Sequence, residues 1–390
     1  MQCRFEDRLA GRALQMRGPR ARIQARSAGE LPDALRAIEQ EQAAGRWVAL
    51  LLDYELGEWL LPETRLPPPG AADIAPADPG PAAAGGTPRL TALVFDEAVV
   101  ERPWPAPREA DPRARVLSAT PRMARAHYLA RIQRIRERIA AGELYQLNYT
   151  QPLDVTLEGD PEWLYRRIAA RHPVAHAAYV HDGERTVLSF SPELFVARQG
   201  TRLVTRPMKG TAPRHDDPDE DRRLGEALLA SPKNRAENLM IVDLLRNDLG
   251  RLAVPGSVRV DALFTLERYP TVWTLTSTVS AEAPHASLGE VLAALFPCGS
   301  ITGAPKVAAM RRIRQMEAGP RGLYCGSIGW LAPGGDFSLN VAIRTLVLPQ
   351  PAGAAQPPAR GVYHVGGGIV HDSDPEQEWQ ECHWKARILG

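Results

Sequence analysis

The chain has 390 residues, 44% of them hydrophobic and 24% charged, with a formal net charge of +1. That length can bury a large core, and the near-neutral balance excludes the strong field of a nucleic-acid or anionic-membrane binder. No apolar run reaches a membrane span. Cys3, Cys298, Cys325 and Cys382 are scattered without a CxxC pair, which argues against a zinc site or disulfide framework and for a reducing cytoplasm. The arginine-rich N-terminus carries Glu6 and Asp7 and no apolar stretch, so no targeting peptide is expected.

In chain order, residues 31–45 (LPDALRAIEQEQAAG) have helical spacing, and 46–61 (RWVALLLDYELGEWLL) read as a buried strand or hairpin. Residues 66–88 are rich in Pro, Ala and Gly, cannot build a core, and are expected to form a flexible surface insertion. Residues 121–141 predict a helix stopped by Gly142, then a strand from Leu144, then a helix over 161–173. Residues 175–211 predict successive strands with turns at Asp182-Gly183 and Gln199-Gly200. A helical pattern covers 218–250, and the C-terminal part returns to strands, with a loose hairpin tip at 349–360, before a final helix over 375–389. Strands arrive in consecutive runs, which predicts an α+β fold with large antiparallel sheets.

The 47 basic residues comprise 43 arginines and four lysines, Lys209, Lys233, Lys306 and Lys385. Arginine stays protonated, whereas a lysine amine can be tuned into a nucleophile or base. Lysine kept in an arginine-writing chain hints at a need for that side chain.

Several stretches carry chemistry. On the final helix Glu378, Glu381 and Lys385 are spaced i, i+3, i+7 and share a face. Before them stands GGGIVHDSD, whose glycines Gly366, Gly367 and Gly368 let backbone N–H groups approach an anion. In AENLMIVDLLRNDLGR, Glu237 shares a face with Met240, Ile241 and Leu244, costly for a carboxylate unless it is paired or holds a metal. Three such glutamates would suit Mg²⁺. The plainer readings are a solvated Glu–Lys pair and a dipole-favoured glutamate. FPCGSITGAPK leads a Gly/Ser/Thr-rich loop into a helix without being a P-loop. Glu193, in FSPELFV, sits in apolar surroundings that raise a carboxyl pKa and suit a general acid, or is a strand-edge glutamate. Lys209, in RPMKGT between Pro207 and Gly210, is either a desolvated nucleophile or a solvated loop lysine.

Taken in order, YQLNYT, SFSPELF, RPMKGTAPR, AENLMIVDLLRNDLG, FPCGSITGAPKVAAM, YCGSIGW, FSLNVAIRT and GGGIVHDSDPEQEWQECHWKA resemble the chorismate-utilising enzymes from about residue 120 to the end. The resemblance implies one chorismate-binding domain over 1–390, with a divergent N-terminal region over 1–115. It also implies two large antiparallel sheets packed as a sandwich with helices outside, as in anthranilate synthase. It implies Glu237 and Glu381 as Mg²⁺ ligands, Glu378 as their support, and Arg344 and Tyr324 at the pyruvyl carboxylate. Gly366 to Gly368, Thr302 and Lys385 would complete the anion pocket, with Gly210 and Thr211 beside Lys209.

Isochorismate and salicylate synthases carry a water-activating lysine where Gln146 stands, so ammonia is the expected nucleophile. Anthranilate synthases typically read Pro-Ile-Ala-Gly-Thr where this chain reads Pro207-Met208-Lys209-Gly210-Thr211. The lysine marks the branch that aminates chorismate at C4, on the way to 4-aminobenzoate and folate. Glu193 would be the acid and Lys209 the covalent nucleophile. A separate glutamine amidotransferase would supply ammonia, since no Cys–His constellation for that task is seen. Asp53-Tyr54 in place of the family's Glu-Ser argues against tryptophan feedback. An anthranilate synthase component and a silent chorismate-binding scaffold remain the alternatives.

Overall fold

The computed structural model describes residues 1–65, 87–108, 113–270, 272–349 and 358–390. The expected insertion at 66–88, except its last two residues, and residues 350–357 of the tip expected at 349–360 lie outside them. The first strands are β1 (Gln2–Asp7), β2 (Arg12–Ala25), β3 (Trp47–Leu52), β4 (Leu90–Glu101), β5 (Ala114–Pro121) and β6 (Gln146–Gly159). Next come β7 (His176–His181), β8 (Arg185–Ser191), β9 (Leu194–Gln199), β10 (Arg202–Arg206), β11 (Met208–Pro213) and β12 (Arg259–Arg268). The last are β13 (Val272–Glu282), β14 (Gly303–Ala304), β15 (Ser327–Leu331), β16 (Phe337–Asn340), β17 (Thr345–Pro349) and β18 (Ala359–Ile369). The helices are α1 (Leu31–Ala43), α2 (Gly57–Leu60), α3 (Arg125–Ala140), α4 (Pro161–Arg171), α5 (Pro218–Ala230), α6 (Pro232–Gly250), α7 (Leu288–Leu295), α8 (Lys306–Met316) and α9 (Pro375–Ala386). None is long and apolar enough to cross a membrane.

Every ladder is antiparallel, and the pairings follow one path: β5-β6-β18-β17-β8-β7-β1-β2-β4-β3-β15-β16-β9-β10-β13-β12. Strand β11 continues β10 along β13. The expected α+β class holds, and the two expected sheets are limbs of one curled system. Strands β8 and β9 lie far apart on the path, yet only Pro192 and Glu193 separate them in the chain. Likewise Val341–Arg344 join β16 to β17. These two crossings pair with each other: Val341 N–H donates to Glu193 O and Phe190 N–H to Arg344 O, both at 3.0 Å. The sheet's two limbs are thus laced together where Glu193 and Arg344 emerge.

The core between limbs and helices is apolar, with Phe190, Phe195 and Phe296 among its wholly buried rings. Of the buried strand or hairpin expected over 46–61, the strand is β3, followed by short helical turns. The helical pattern over 218–250 is two helices, broken at Ser231, whose hydroxyl caps the second. Pro232 in the first turn of α6 fits that break, since it needs no donor there.

One buried ion pair braces the back of the site. Arg321 pairs with Glu317 at 2.7 Å and donates to Ile301 O at 2.9 Å and Asn148 O at 2.7 Å. Glu317 also accepts from Thr150 N–H and Oγ1 at 2.9 Å. Arg321→Leu would leave a buried carboxylate and two carbonyls uncompensated. Chemical denaturation is expected to show a loss of about 3–5 kcal/mol; an unchanged midpoint would contradict the bracing role.

Candidate active site

Helix α9 starts cleanly: the Asp374 side chain accepts from Gln377 N–H, Pro375 needs no partner, and Glu376 and Glu378 favour the dipole's positive end. Its face carrying Glu378, Glu381 and Lys385 turns toward the glycine run of β18. A methyl on Gly367 would stand 2.9 Å from Glu378 Oε2 and 3.6 Å from Glu381 Oε1. Only a glycine admits carboxylates that close. Strand β17 pairs with β18 only at Leu346–Tyr363 and Val347–Val362, so the glycines have a ladder partner on one side, β6. Lys385 Nζ donates to Gly366 O at 2.6 Å on the open edge. A strand residue points its N–H and C=O to the same edge, so the Gly366 and Gly368 amides face that opening.

Helix α6 brings Glu237 to the same cavity. Its neighbour Asn238 is wholly buried, donating to Leu275 O at 3.3 Å and accepting from Ser277 Oγ at 2.6 Å. These bonds fix the helix's rotation against β13, and with it Glu237.

Lys209 stands on a bulge. Met208 pairs with Thr276 and Thr211 with Thr274, so Lys209 and Gly210 together oppose one residue of β13. An extra residue of this kind re-aims a strand's side chain. Gly210 has φ +86°, a conformation that favours glycine, and a methyl there would crowd Asn234 at 3.1 Å. Lys209 is half-buried and makes no ion pair or hydrogen bond among the described residues. Burial lowers its pKa, against the pull of Glu193 and Glu237.

Glu193 is buried at the crossing. Ser300 Oγ donates to its Oε1 at 2.6 Å. Burial raises its pKa, opposed by Ser300, Lys209 and Arg344. Arg344 lines the cavity in a left-handed backbone conformation, φ 51°, and has no ion-pair partner among the described residues. A bulky residue held there is strained, and the laced crossings hold it. Tyr324 stacks on His364 at 5.0 Å and 11° beside it.

The result is a cavity of about 270 Å³ with Glu193, Glu237, Glu378 and Glu381 facing Lys209, Lys233, Arg344 and Lys385. Gly210, Thr211, Tyr324 and Gly366 to Gly368 also line it. Three of the chain's four lysines meet here; the fourth, Lys306, pairs with Asp248 at 2.6 Å. Two of the expected residues do not reach the wall. Thr302 is buried and spends its hydroxyl on Cys298 O and Gly299 O, both at 3.2 Å. Gln146 is buried behind Gly368. Sequence reasoning missed Lys233, Asn234, Ser300, Tyr363 and His364. Lys233 gave a signal in its rarity, and Ser300 one in its Gly/Ser/Thr-rich loop. A larger cavity of about 400 Å³ is lined by Trp47 and Trp330. Its carboxylates are tied up, Glu6 with Arg4 and Arg8 and Asp7 with Arg12.

Among the described residues no three acidic, imidazole or thiolate groups form a ready metal cage. The donor set nevertheless fits a hard divalent cation. Burial and Glu381's repulsion push Glu378 up to about 7. Burial also raises Glu237. Against its own burial, Lys385 at 2.6 Å holds Glu381 below the usual range. Crowded, partly desolvated carboxylates gain from a cation, and Mg²⁺ takes few protein oxygens and keeps water or substrate for the rest.

Residues 4–389 match the chorismate binding enzyme family. The chain belongs to that family. Aminodeoxychorismate synthase component 1 of Salmonella typhimurium is 43% identical over 273 residues, covering 68% of this chain and 58% of that protein. Anthranilate synthase component 1 of Streptomyces coelicolor is 40% identical over 274 residues, covering 69% of this chain and 52% of that protein. The chain thus matches little more than half the length of these relatives. In fold it is similar to anthranilate synthase component I from Streptococcus pneumoniae, with a TM-score of 0.80, 24% identity, and coverage of 97% of this chain and 92% of that one. The menaquinone-specific isochorismate synthase of Escherichia coli gives 0.74 at 20% identity, covering 100% and 88%.

Proposed function

We propose that the chain is an aminodeoxychorismate synthase component I, one chorismate-binding domain that converts chorismate and ammonia to 4-amino-4-deoxychorismate. The observation that carries this reading is Lys209, an unpaired and partly desolvated amine aimed from a bulge into a cavity that also holds a buried acid. Arg344, Tyr324 and the Gly366 and Gly368 amides are suited to bind the carboxylates of a dianion. Glu237, Glu378 and Glu381 would hold Mg²⁺, which would neutralise the ring carboxylate.

In the first step the neutral Lys209 amine attacks ring C2. Both ring double bonds shift, and the C4–O bond breaks as Glu193 protonates the leaving hydroxyl to water. In the second step ammonia attacks C4, the double bonds shift back, and the C2–N bond breaks to return the Lys209 amine. The sum is chorismate plus ammonia to 4-amino-4-deoxychorismate plus water. Two allylic shifts leave nitrogen at C4, whereas one attack by ammonia would leave it at C2.

The words "component 1" in the relatives' names support a second subunit. We assign it as a glutamine amidotransferase that supplies ammonia. Four free, buried cysteines suit a cytoplasmic setting, and the product's chemistry suits 4-aminobenzoate and folate synthesis. The deciding experiment incubates the chain with chorismate, Mg²⁺ and ammonium and identifies the product. A non-fluorescent amine retaining its pyruvyl group is expected. Fluorescent anthranilate with free pyruvate would overturn the reading in favour of anthranilate synthase. Chelation with EDTA is expected to remove turnover, and added Mg²⁺ to restore it; turnover that survives exhaustive chelation would contradict the metal assignment.

A further inference from the structure

We propose that Gln146 positions the Lys209 amine for attack, acting across the opening that Gly368 leaves; this rests on the nucleophile reading above. Gln146 begins β6, clamped between Ala304 of β14 and the glycine end of β18. Its side chain is 0% exposed, and neither Oε1 nor Nε2 has a hydrogen-bond partner among the described residues. A buried amide with both ends open destabilises a fold, and an apolar side chain of the same length would not carry that cost. Something outside the resting set of contacts must use it.

The location says what. A methyl on Gly368 would overlap Gln146 Nε2 and stand 3.2 Å from Lys209 Nζ. The amide and the amine therefore face the same small gap, kept open by a missing side chain. The charged groups acting on Lys209 are Glu193, Glu237, Glu381 and Lys385. A carboxylate that held the amine would also hold its proton. A neutral amide does not. Nε2 is the amide atom nearest the gap; turning the amide over brings Oε1 there, where it accepts one N–H of the neutral amine and leaves the amine's lone pair directed at the cavity. Thr302 completes the support: its carbonyl accepts from Asn148 N–H at 2.9 Å, fixing the start of β6.

The test compares the full chain with Gln146→Met, of similar length but apolar, and Gln146→Glu, which keeps an acceptor. Each is mixed with chorismate and Mg²⁺ without ammonia, quenched over time, and weighed intact for chorismate bound with loss of one water. Gln146→Met is expected to form the adduct about 10²-fold more slowly, with chorismate affinity within about twofold and a melting temperature no lower than the parent's, because an unpartnered amide has gone. Gln146→Glu is expected not to recover the rate, because its carboxylate would hold the amine's proton. Adduct formation at the parent rate in Gln146→Met would overturn the inference. So would a loss of chorismate affinity matching the loss of rate, which would make Gln146 a substrate contact. If the parent chain makes the C4 amine without any adduct, the nucleophile reading fails and takes this inference with it. A normal parent adduct with an unaffected Gln146→Met sinks the inference alone.

Discussion

Lys209→Ala is expected to lower formation of the C4 amine on the order of 10⁶-fold, the scale of removing a nucleophile. The fold should survive, because Lys209 makes no hydrogen bond or ion pair among the described residues and sits on a half-buried bulge. Lys209→Arg is the sharper control. It keeps the positive charge but cannot become a neutral nucleophile, so it should fail as completely as alanine. Any amine still formed by either variant should carry nitrogen at C2, because ammonia then attacks once. Separating the two isomers by chromatography and mass checks this. Undiminished C4 amine from Lys209→Ala would remove the covalent step from the mechanism.

Glu193→Gln is expected to cost about 10²–10⁴-fold in kcat, the range for losing a general acid. Its pH profile is the more specific readout. The productive form has Glu193 protonated and Lys209 neutral. Burial raises the first group's pKa and lowers the second's, so both shifts enlarge the fraction in that form. The parent's kcat/KM should rise with pH as Lys209 sheds its proton and fall at alkaline pH as the last protonated Glu193 disappears. In Glu193→Gln the alkaline fall should vanish, leaving a rate that rises with Lys209 deprotonation and then levels off. An alkaline fall that persists in the variant would contradict the acid role. Ser300, which donates to Glu193 at 2.6 Å, holds the carboxyl but is not itself the acid.

What could be read from the sequence is what lies on one regular element. Glu378, Glu381 and Lys385 share a helix face by simple periodicity, and the structure puts all three on the cavity. Glu237 was marked by its apolar neighbours on α6. Lys209 stood out by composition, since most positive charges here are arginine. The bulge that aims it was not legible, because it exists only as a register shift against β13, over 60 residues away. The Ser300–Glu193 bond joins residues 107 apart, and no local pattern announces it. Arg344's left-handed backbone is imposed by the paired crossings, not by arginine's own preference. Strands β1, β2, β4 and β5 went unread. Strand β2 alternates arginine with small and apolar residues and is exposed over much of its length, so its pattern is faint. Strand β12 is the bulged, largely exposed end of the path and has the same fault. Helix α7 is nearly all apolar on its own, and its Ser287–Glu290 capping box was its clearest signal.

The most direct measurement of the covalent mechanism is to trap its first step. The full chain, mixed with chorismate and Mg²⁺ and kept free of ammonia, is denatured, digested and sequenced by mass spectrometry. One modified peptide is expected, carrying chorismate less one water on Lys209, and it should disappear when ammonium is added as the C4 amine is released. An unmodified Lys209 peptide in a sample that goes on to make the C4 amine when ammonium is added would contradict the covalent mechanism.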